Sequence, residues 1–154
     1  EVNVFGQIAL TKQVLPRMIE QKSGHIVVTA SVAGKVGAPY RSGYCTAKHA
    51  VMGFFDALRA EVAAQGIRVT TITPGFIRTD ISVNALRGDG SNYGKLDADI
   101  AGGMEATRCA EVILQGFRKG TPEIAVGKGI EMHALWVKRF FPRTLFRLAA
   151  RMAG

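Results

Sequence analysis

The chain has 154 residues, 47% hydrophobic, 21% charged and 8% aromatic, with 20 Lys and Arg against 12 Asp and Glu for a net charge of +8. Those figures exclude a disordered chain, a collagen and a disulfide scaffold, and they supply enough apolar residues for one packed domain. No stretch approaches the roughly 18 uninterrupted apolar residues of a membrane span, and no charged, apolar, then small-residue leader pattern opens the chain.

Val4, Ile8, Leu15, Met18 and Ile19 recur at helical spacing until Ser23-Gly24, so the chain is predicted to open in a helix. Pro16 falls inside that run and is expected to kink the helix or end its regular part. His25 to Ala30 is short, apolar and β-branched, which predicts a strand buried on both faces as in a parallel sheet. Ala47, Val51, Phe54, Phe55, Leu58 and Val62 then mark a long amphipathic helix that Gly66 is placed to cap. A second buried strand, Ile67 to Thr73, closes at Pro74-Gly75, and strand, helix, strand with short joints is a βαβ unit. Residues 82–103 are polar, glycine-rich and without period, the profile of a functional or mobile loop. A helix near Thr107–Lys119 and a short strand, Glu123–Val126, follow.

The charge is uneven. Lys138, Arg139, Arg143, Arg147 and Arg151 stand without an acid in residues 132–154, so five of the eight excess charges are local to the tail. On a helix Phe141, Leu145, Leu148, Ala149 and Met152 share one face and Arg143, Arg147 and Arg151 the opposite one. Such a helix suits an anionic membrane surface, and equally a substrate pocket or a second subunit. Nucleic acid fits less well, because no binding module accompanies the charge. Cys45 and Cys109 have neither a CxxC spacing nor the companions of a zinc site, which reads as two reduced thiols and no metal.

Tyr44 and Lys48, four apart at the start of the long helix, project from the same face. A phenol has a pKa of about 10, so roughly 0.1% is ionised at pH 7. Lowering that pKa by about three units needs roughly 4 kcal/mol, which a cation about 4 Å away supplies at an effective dielectric of about 20. The pair can therefore serve as a proton donor and acceptor near neutrality. By itself it also suits a solvated helix face. Its surroundings say more: Ser31 and Pro74-Gly75 close the two parallel strands, where open parallel sheets bind their ligands. His25 and His49 lack partner spacing for metal or nucleophilic catalysis, and Ser31 is in no Gly-x-Ser-x-Gly elbow.

Thr29-Ala30-Ser31-Val32-Ala33-Gly34, Tyr44-Cys45-Thr46-Ala47-Lys48 and Pro74-Gly75-Phe76-Ile77-Arg78-Thr79, in this order and spacing, resemble the short-chain dehydrogenases/reductases. The resemblance runs from Asn3 to about Val126. It implies an α/β fold, the C-terminal portion of a doubly wound parallel-sheet (Rossmann) domain, with residues 1–131 as the catalytic body, 82–103 as a substrate lid and 132–154 as an appended tail. It implies hydride transfer between NAD or NADP, with NADP slightly ahead, and a carbonyl or secondary alcohol. By analogy Tyr44 exchanges the proton, Ser31 orients the reacting oxygen, Lys48 holds the nicotinamide ribose, and Asn3 anchors a water relay ending at Lys48. Pro74, Gly75, Ile77 and Thr79 would lie against the nicotinamide and its carboxamide, and the amphipathic helices would form a homo-oligomer surface. Phe76, Trp136 and the aromatic tail favour an apolar substrate.

The sequence also departs from the family pattern. No Gly-rich strand-to-helix turn is present to offer a helix N-terminus to a pyrophosphate. The chain therefore reads as lacking the N-terminal dinucleotide-binding strands of a longer enzyme, inactive alone, with strand 25–30 left as an open apolar edge. The alternatives from other classes are a non-catalytic binding protein that keeps the site residues, and a membrane-associated module acting through its tail. Composition and cysteine usage point to the cytoplasm, with peripheral membrane contact as the tail's contribution.

Overall fold

The computed structural model describes residues 2–152; Glu1 and the last two residues of the predicted tail, Ala153 and Gly154, lie outside them. A π-helical turn over Val2–Gly6 leads into α1, Gln7–Gln21. Pro16 does not end α1, which runs a further turn beyond it. Lys22, in the left-handed region at φ 52°, terminates α1 with its N–H on the Ile19 and Met18 carbonyls. Strand β1 follows at Gly24–Thr29, then a 3-10 turn at Val32–Gly34, helix α2 at Ser42–Val62 and strand β2 at Ile67–Pro74. Gly66 sits between α2 and β2 with φ 76°, its Cα so near the Lys22 carbonyl that a side chain there would collide with it.

β1 and β2 are parallel, with Gly24 opposite Ile67 and Thr29 opposite Ile72, and β5, Glu123–Val126, joins the far side of β2. The sheet order is therefore β1-β2-β5, with β1 at an edge. A second small sheet pairs β3, Ile77–Arg78, with β4, Met104–Glu105. The remaining helices are α3 at Ala98–Ala101, α4 at Ala106–Arg118, α5 at Ile130–Phe140 and α6 at Pro142–Met152.

Two clusters hold these layers together. On one face Ile26, Val28, Val51, Met52, Phe55, Leu58, Val62, Ile67 and Val69 pack α2 against β1 and β2, with Leu15 and Met18 of α1 beside them. Full burial of a side chain such as Phe55 or Val51 contributes about 1.5–3 kcal/mol. On the other face Cys109, Val112, Ile113 and Phe117 of α4 cover Ile72 and Val126. β2 is accordingly buried on both faces, as expected of a central parallel strand.

β1 corrects the sequence expectation. It alternates, with Ile26 and Val28 buried while Val27 is 44% exposed and Thr29 is exposed. Helix α4 reaches the start of that face, where Phe117 meets His25 edge to face, and leaves Val27 and Thr29 beyond it exposed. The basic amphipathic helix of the tail, α6, follows a second helix, α5. Pro142 has no N–H and disfavours helical backbone at Phe141, which sits at φ −134° and ψ 57°, so the chain breaks there and α6 starts on the proline. Helix α5 begins at Ile130, ahead of the boundary at 132 that charge alone suggested. Among the described residues no helix is long and apolar enough to cross a membrane.

Candidate active site

The site is assembled where β1 and β2 end. Ala30 N–H donates to the Ile72 carbonyl at 2.8 Å and carries the parallel pairing past Thr29, which sets Ser31 beside the end of β2 at Pro74. Ser31 is extended at φ −173° and its Oγ accepts the Ala33 N–H at 3.1 Å, capping the 3-10 turn. That turn lies hard against α2. A Cβ on Gly34 would come within 2.7 Å of the Lys48 carbonyl and 2.9 Å of Met52 Cγ, so glycine is needed for this approach. The serine loop is thereby registered on the helix turn that bears Lys48.

Lys48 is 7% exposed, and its Nζ donates to the Thr29 carbonyl at 3.2 Å. Burial pushes its pKa below the usual lysine value, because the charged form is stripped of water. The ammonium lies 5.8 Å from the centroid of the Tyr44 ring, and Tyr44 is 42% exposed at the start of α2. A buried cation thus stands under an accessible phenol. An ammonium carries three donors, and one is committed to Thr29. The others suit the hydroxyls of a ribose, so Lys48 fits the role of holding a nicotinamide riboside at this end of the sheet.

Asn3 is exposed on the π-helical turn, which packs against α2. Such turns recur at functional sites. Pro74 is the last residue of β2, and Gly75 N–H donates to the Val126 carbonyl at 2.8 Å. Ile77 turns its side chain into the cluster of Ile72, Cys109 and Val126, which leaves its backbone as the part able to meet a ligand, and Thr79 is exposed. Trp136 stacks on Phe140 at 5.8 Å on an exposed side of α5, whereas Phe76 lines a cavity of about 200 Å³ with Ala98, Gly102, Gly103 and Ile130.

The segment 82–103 is closed on itself by a Ser82–Asp97 hydrogen bond and joined by Asp97 to the residue before α2. Ser82 is buried and its Oγ accepts the Asp97 N–H at 3.1 Å, while the Asp97 carboxylate pairs with Arg41 at 3.7 Å. Arg41 directly precedes α2, three residues before Tyr44. Between these ties an isolated bridge joins Leu86 and Asn92.

Other chemically capable residues have structural partners. Cys45 Sγ accepts the Ala38 N–H at 3.3 Å, and burial raises the Cys109 thiol pKa, which keeps it protonated and unreactive. His25 bonds Thr70 Oγ1 at 2.8 Å, its pKa lowered by burial and then by Arg68, and His49 bonds the Cys45 carbonyl at 2.8 Å. No cluster of three or more metal-ligating side chains occurs among the described residues. One residue the sequence did not disclose is Glu131. Its Oε1 accepts the Phe76 N–H at 3.1 Å and the Gly129 N–H at 3.3 Å, so α5 reaches back onto the turn after β2.

The family model described as short chain dehydrogenase matches residues 1–89. Dehydrogenase/reductase SDR family member 7B of Rattus norvegicus is 43% identical over 153 residues, covering 99% of this chain and 47% of that protein. Dehydrogenase/reductase SDR family protein 7-like of Drosophila melanogaster is 44% identical over 152 residues, with the same coverage of 99% and 47%. The chain spans about half the length of the curated relatives it matches. A short chain dehydrogenase from Burkholderia cenocepacia, solved in complex with NADP, superposes with a TM-score of 0.76 over 96% of this chain and 56% of that one; at 19% identity the likeness is one of fold. A 4-hydroxyisoleucine dehydrogenase complexed with NADH and succinate is 38% identical over 53% of this chain and 36% of that one, with a TM-score of 0.51.

Proposed function

The chain belongs to the short-chain dehydrogenase family, and on that premise we propose that it supplies the proton-transfer half of an NAD(P)-dependent oxidoreductase acting on a carbonyl or secondary alcohol. The observation that carries this reading is the buried Lys48 ammonium beneath the accessible Tyr44 ring, next to Ser31 at the carboxyl end of parallel strands. When bound, the nicotinamide supplies or accepts the hydride, and the rest falls to side chains of this chain. In reduction Tyr44 Oη donates its proton to the carbonyl oxygen as the carbon is reduced, and in oxidation it takes the proton from the alcohol. Lys48 stabilises the phenolate left behind and holds the ribose hydroxyls. Ser31 Oγ turns from its capping bond to hydrogen-bond the reacting oxygen, and Asn3 anchors a water that returns the proton toward Lys48. Pro74, Gly75, Ile77 and Thr79 line the nicotinamide side.

Residues 82–103 act as the substrate lid of the catalytic body 1–131, hinged at Ser82 and Asp97. Phe76, Trp136 and the aromatic tail favour an apolar substrate. The pyrophosphate and second ribose are bound by strands outside these 154 residues, so the segment works as part of a longer chain. Val2 and Phe5 on the π-helical turn and Leu10 and Val14 on α1 are exposed apolar side chains suited to contact with a second copy. In a full-length chain carrying this segment, Tyr44→Phe is expected to keep nicotinamide cofactor affinity and lose turnover about 10²–10⁴-fold, the usual worth of a general acid. Steady-state kinetics beside cofactor fluorescence titration read both, and turnover within a few-fold of wild type removes Tyr44 from the mechanism.

A second reading rests on a separate observation. Trp136, Phe140, Phe141, Phe146, Leu148 and Met152 are all exposed along α5 and α6, with five basic residues among them. That combination suits peripheral attachment of a cytoplasmic enzyme to an anionic membrane surface.

A further inference from the structure

The carboxylate of Glu131 is enclosed by backbone. Its Oε1 collects N–H groups from two separate segments, Phe76 after β2 and Gly129 before α5. A Cβ at Gly75 or Gly129 would collide with the carboxylate, and one at Gly127 would lie 3.0 Å from Oε1. Three positions without side chains thus make room for one side chain. Its second oxygen, Oε2, is buried without a hydrogen-bond partner, an arrangement that costs free energy which the contacts of the first oxygen offset. The bond to Phe76 falls inside Pro74–Thr79, between Gly75 and Ile77. The same helix, α5, also packs against the 3-10 turn that Ser31 caps.

We propose that Glu131 is a positioning residue: it latches α5 onto the Pro74–Thr79 turn and thereby fixes the surface against which the nicotinamide lies. The inference rests on the oxidoreductase reading above and extends it to a residue outside the Tyr-Lys-Ser set. Glu131 acts through the Phe76 backbone rather than on the reacting atoms. A carbonyl oxygen can accept the same two N–H groups, so Glu131→Gln preserves the latch. Glu131→Ala removes it, and Glu131→Asp, one methylene shorter, cannot reach both donors.

The test uses the full-length chain carrying this segment and two readouts, amide hydrogen exchange at Phe76 and Gly129 and the KM for NAD(P)H. E131A is expected to speed exchange at both amides and raise cofactor KM about tenfold, the scale of a hydrogen bond to a charged acceptor, with E131Q close to wild type. Where E131A does not fold, E131D carries the test, with faster exchange at Phe76 and a cofactor KM raised several-fold. Unchanged exchange overturns the latch. Faster exchange with an unchanged cofactor KM, whatever the loss in Tm, overturns the positioning role and leaves Glu131 a purely structural contact. Failure of wild type to turn over any nicotinamide substrate, with Tyr44→Phe indistinguishable from it, overturns the oxidoreductase reading and with it the cofactor role of Glu131, whereas the exchange data still decide the latch.

Discussion

Lys48 is held in a state that costs the fold something. Its lowered pKa means that the folded chain binds fewer protons than the unfolded chain between that value and the ordinary 10.5. Stability therefore rises with pH across this window and is lower on its acidic side, where the buried ammonium is fully charged. Lys48→Met removes the penalty together with the function. The variant is expected to melt above wild type at neutral pH while turnover in a full-length enzyme falls about 100-fold or more. The gap in Tm closes as pH is raised toward 10.5, because only wild type gains. Thermal melts from pH 7 to 10.5 check this, and a gap that widens with pH contradicts it. At this scale the juxtaposition of Ser31, Tyr44 and Lys48 was legible because their spacing in the chain is short and they fall at the end of β1 and in the first two turns of α2. Glu131 was not. It meets Phe76 across 55 positions, and in the sequence it is merely the last acid before a basic tail.

Elements were legible where one period dominates. The amphipathic run of α2, the β-branched run of β2 and the short Glu123–Val126 strand appear as their patterns predict. β1 shows where pattern alone stops: an apolar run specifies a strand able to be covered on both faces, but only packing decides whether a helix is there to cover it. Phe141-Pro142 was a legible boundary, because a proline without an N–H can open a helix but not continue one, and α6 starts on it. The aperiodic 82–103 segment gave no element at all, because its order comes from tertiary ties. Cutting those ties tests the lid. Ser82→Ala combined with Asp97→Ala removes the acceptor for the Asp97 N–H and the ion pair to Arg41. The exposed half of that ion pair is worth under about 1 kcal/mol, so most of the effect comes from Ser82. The expected result in the full-length enzyme is a substrate KM raised several-fold with cofactor KM unchanged. Equal rises in both constants assign the ties to the body of the site instead.

At the scale of the whole molecule, the positive charge belongs to one end. Arg143, Arg147 and Arg151 project from α6 beside exposed Phe146, Leu148 and Met152. Each basic residue near an anionic bilayer contributes about 1 kcal/mol, so reversing all three to Glu is expected to lower partitioning onto phosphatidylserine vesicles more than about 100-fold. Flotation of the full-length protein with phosphatidylserine and with neutral phosphatidylcholine vesicles reads the difference. Equal flotation of wild type and variant rejects membrane attachment through α6. The opposite end of the sheet has a different consequence. β1 leaves one row of backbone groups unpaired and one apolar face open at Val27. Such an edge is a template, and whatever strand completes it contributes hydrogen bonds and buried area that the described residues do not make among themselves. The stability of this unit is then governed by mass action: it rises with the local concentration of a complementary strand, highest when that strand is tethered in the same chain. Supplied in trans, the same strand would turn the segment into one member of a two-piece complementation pair, with activity reporting their encounter.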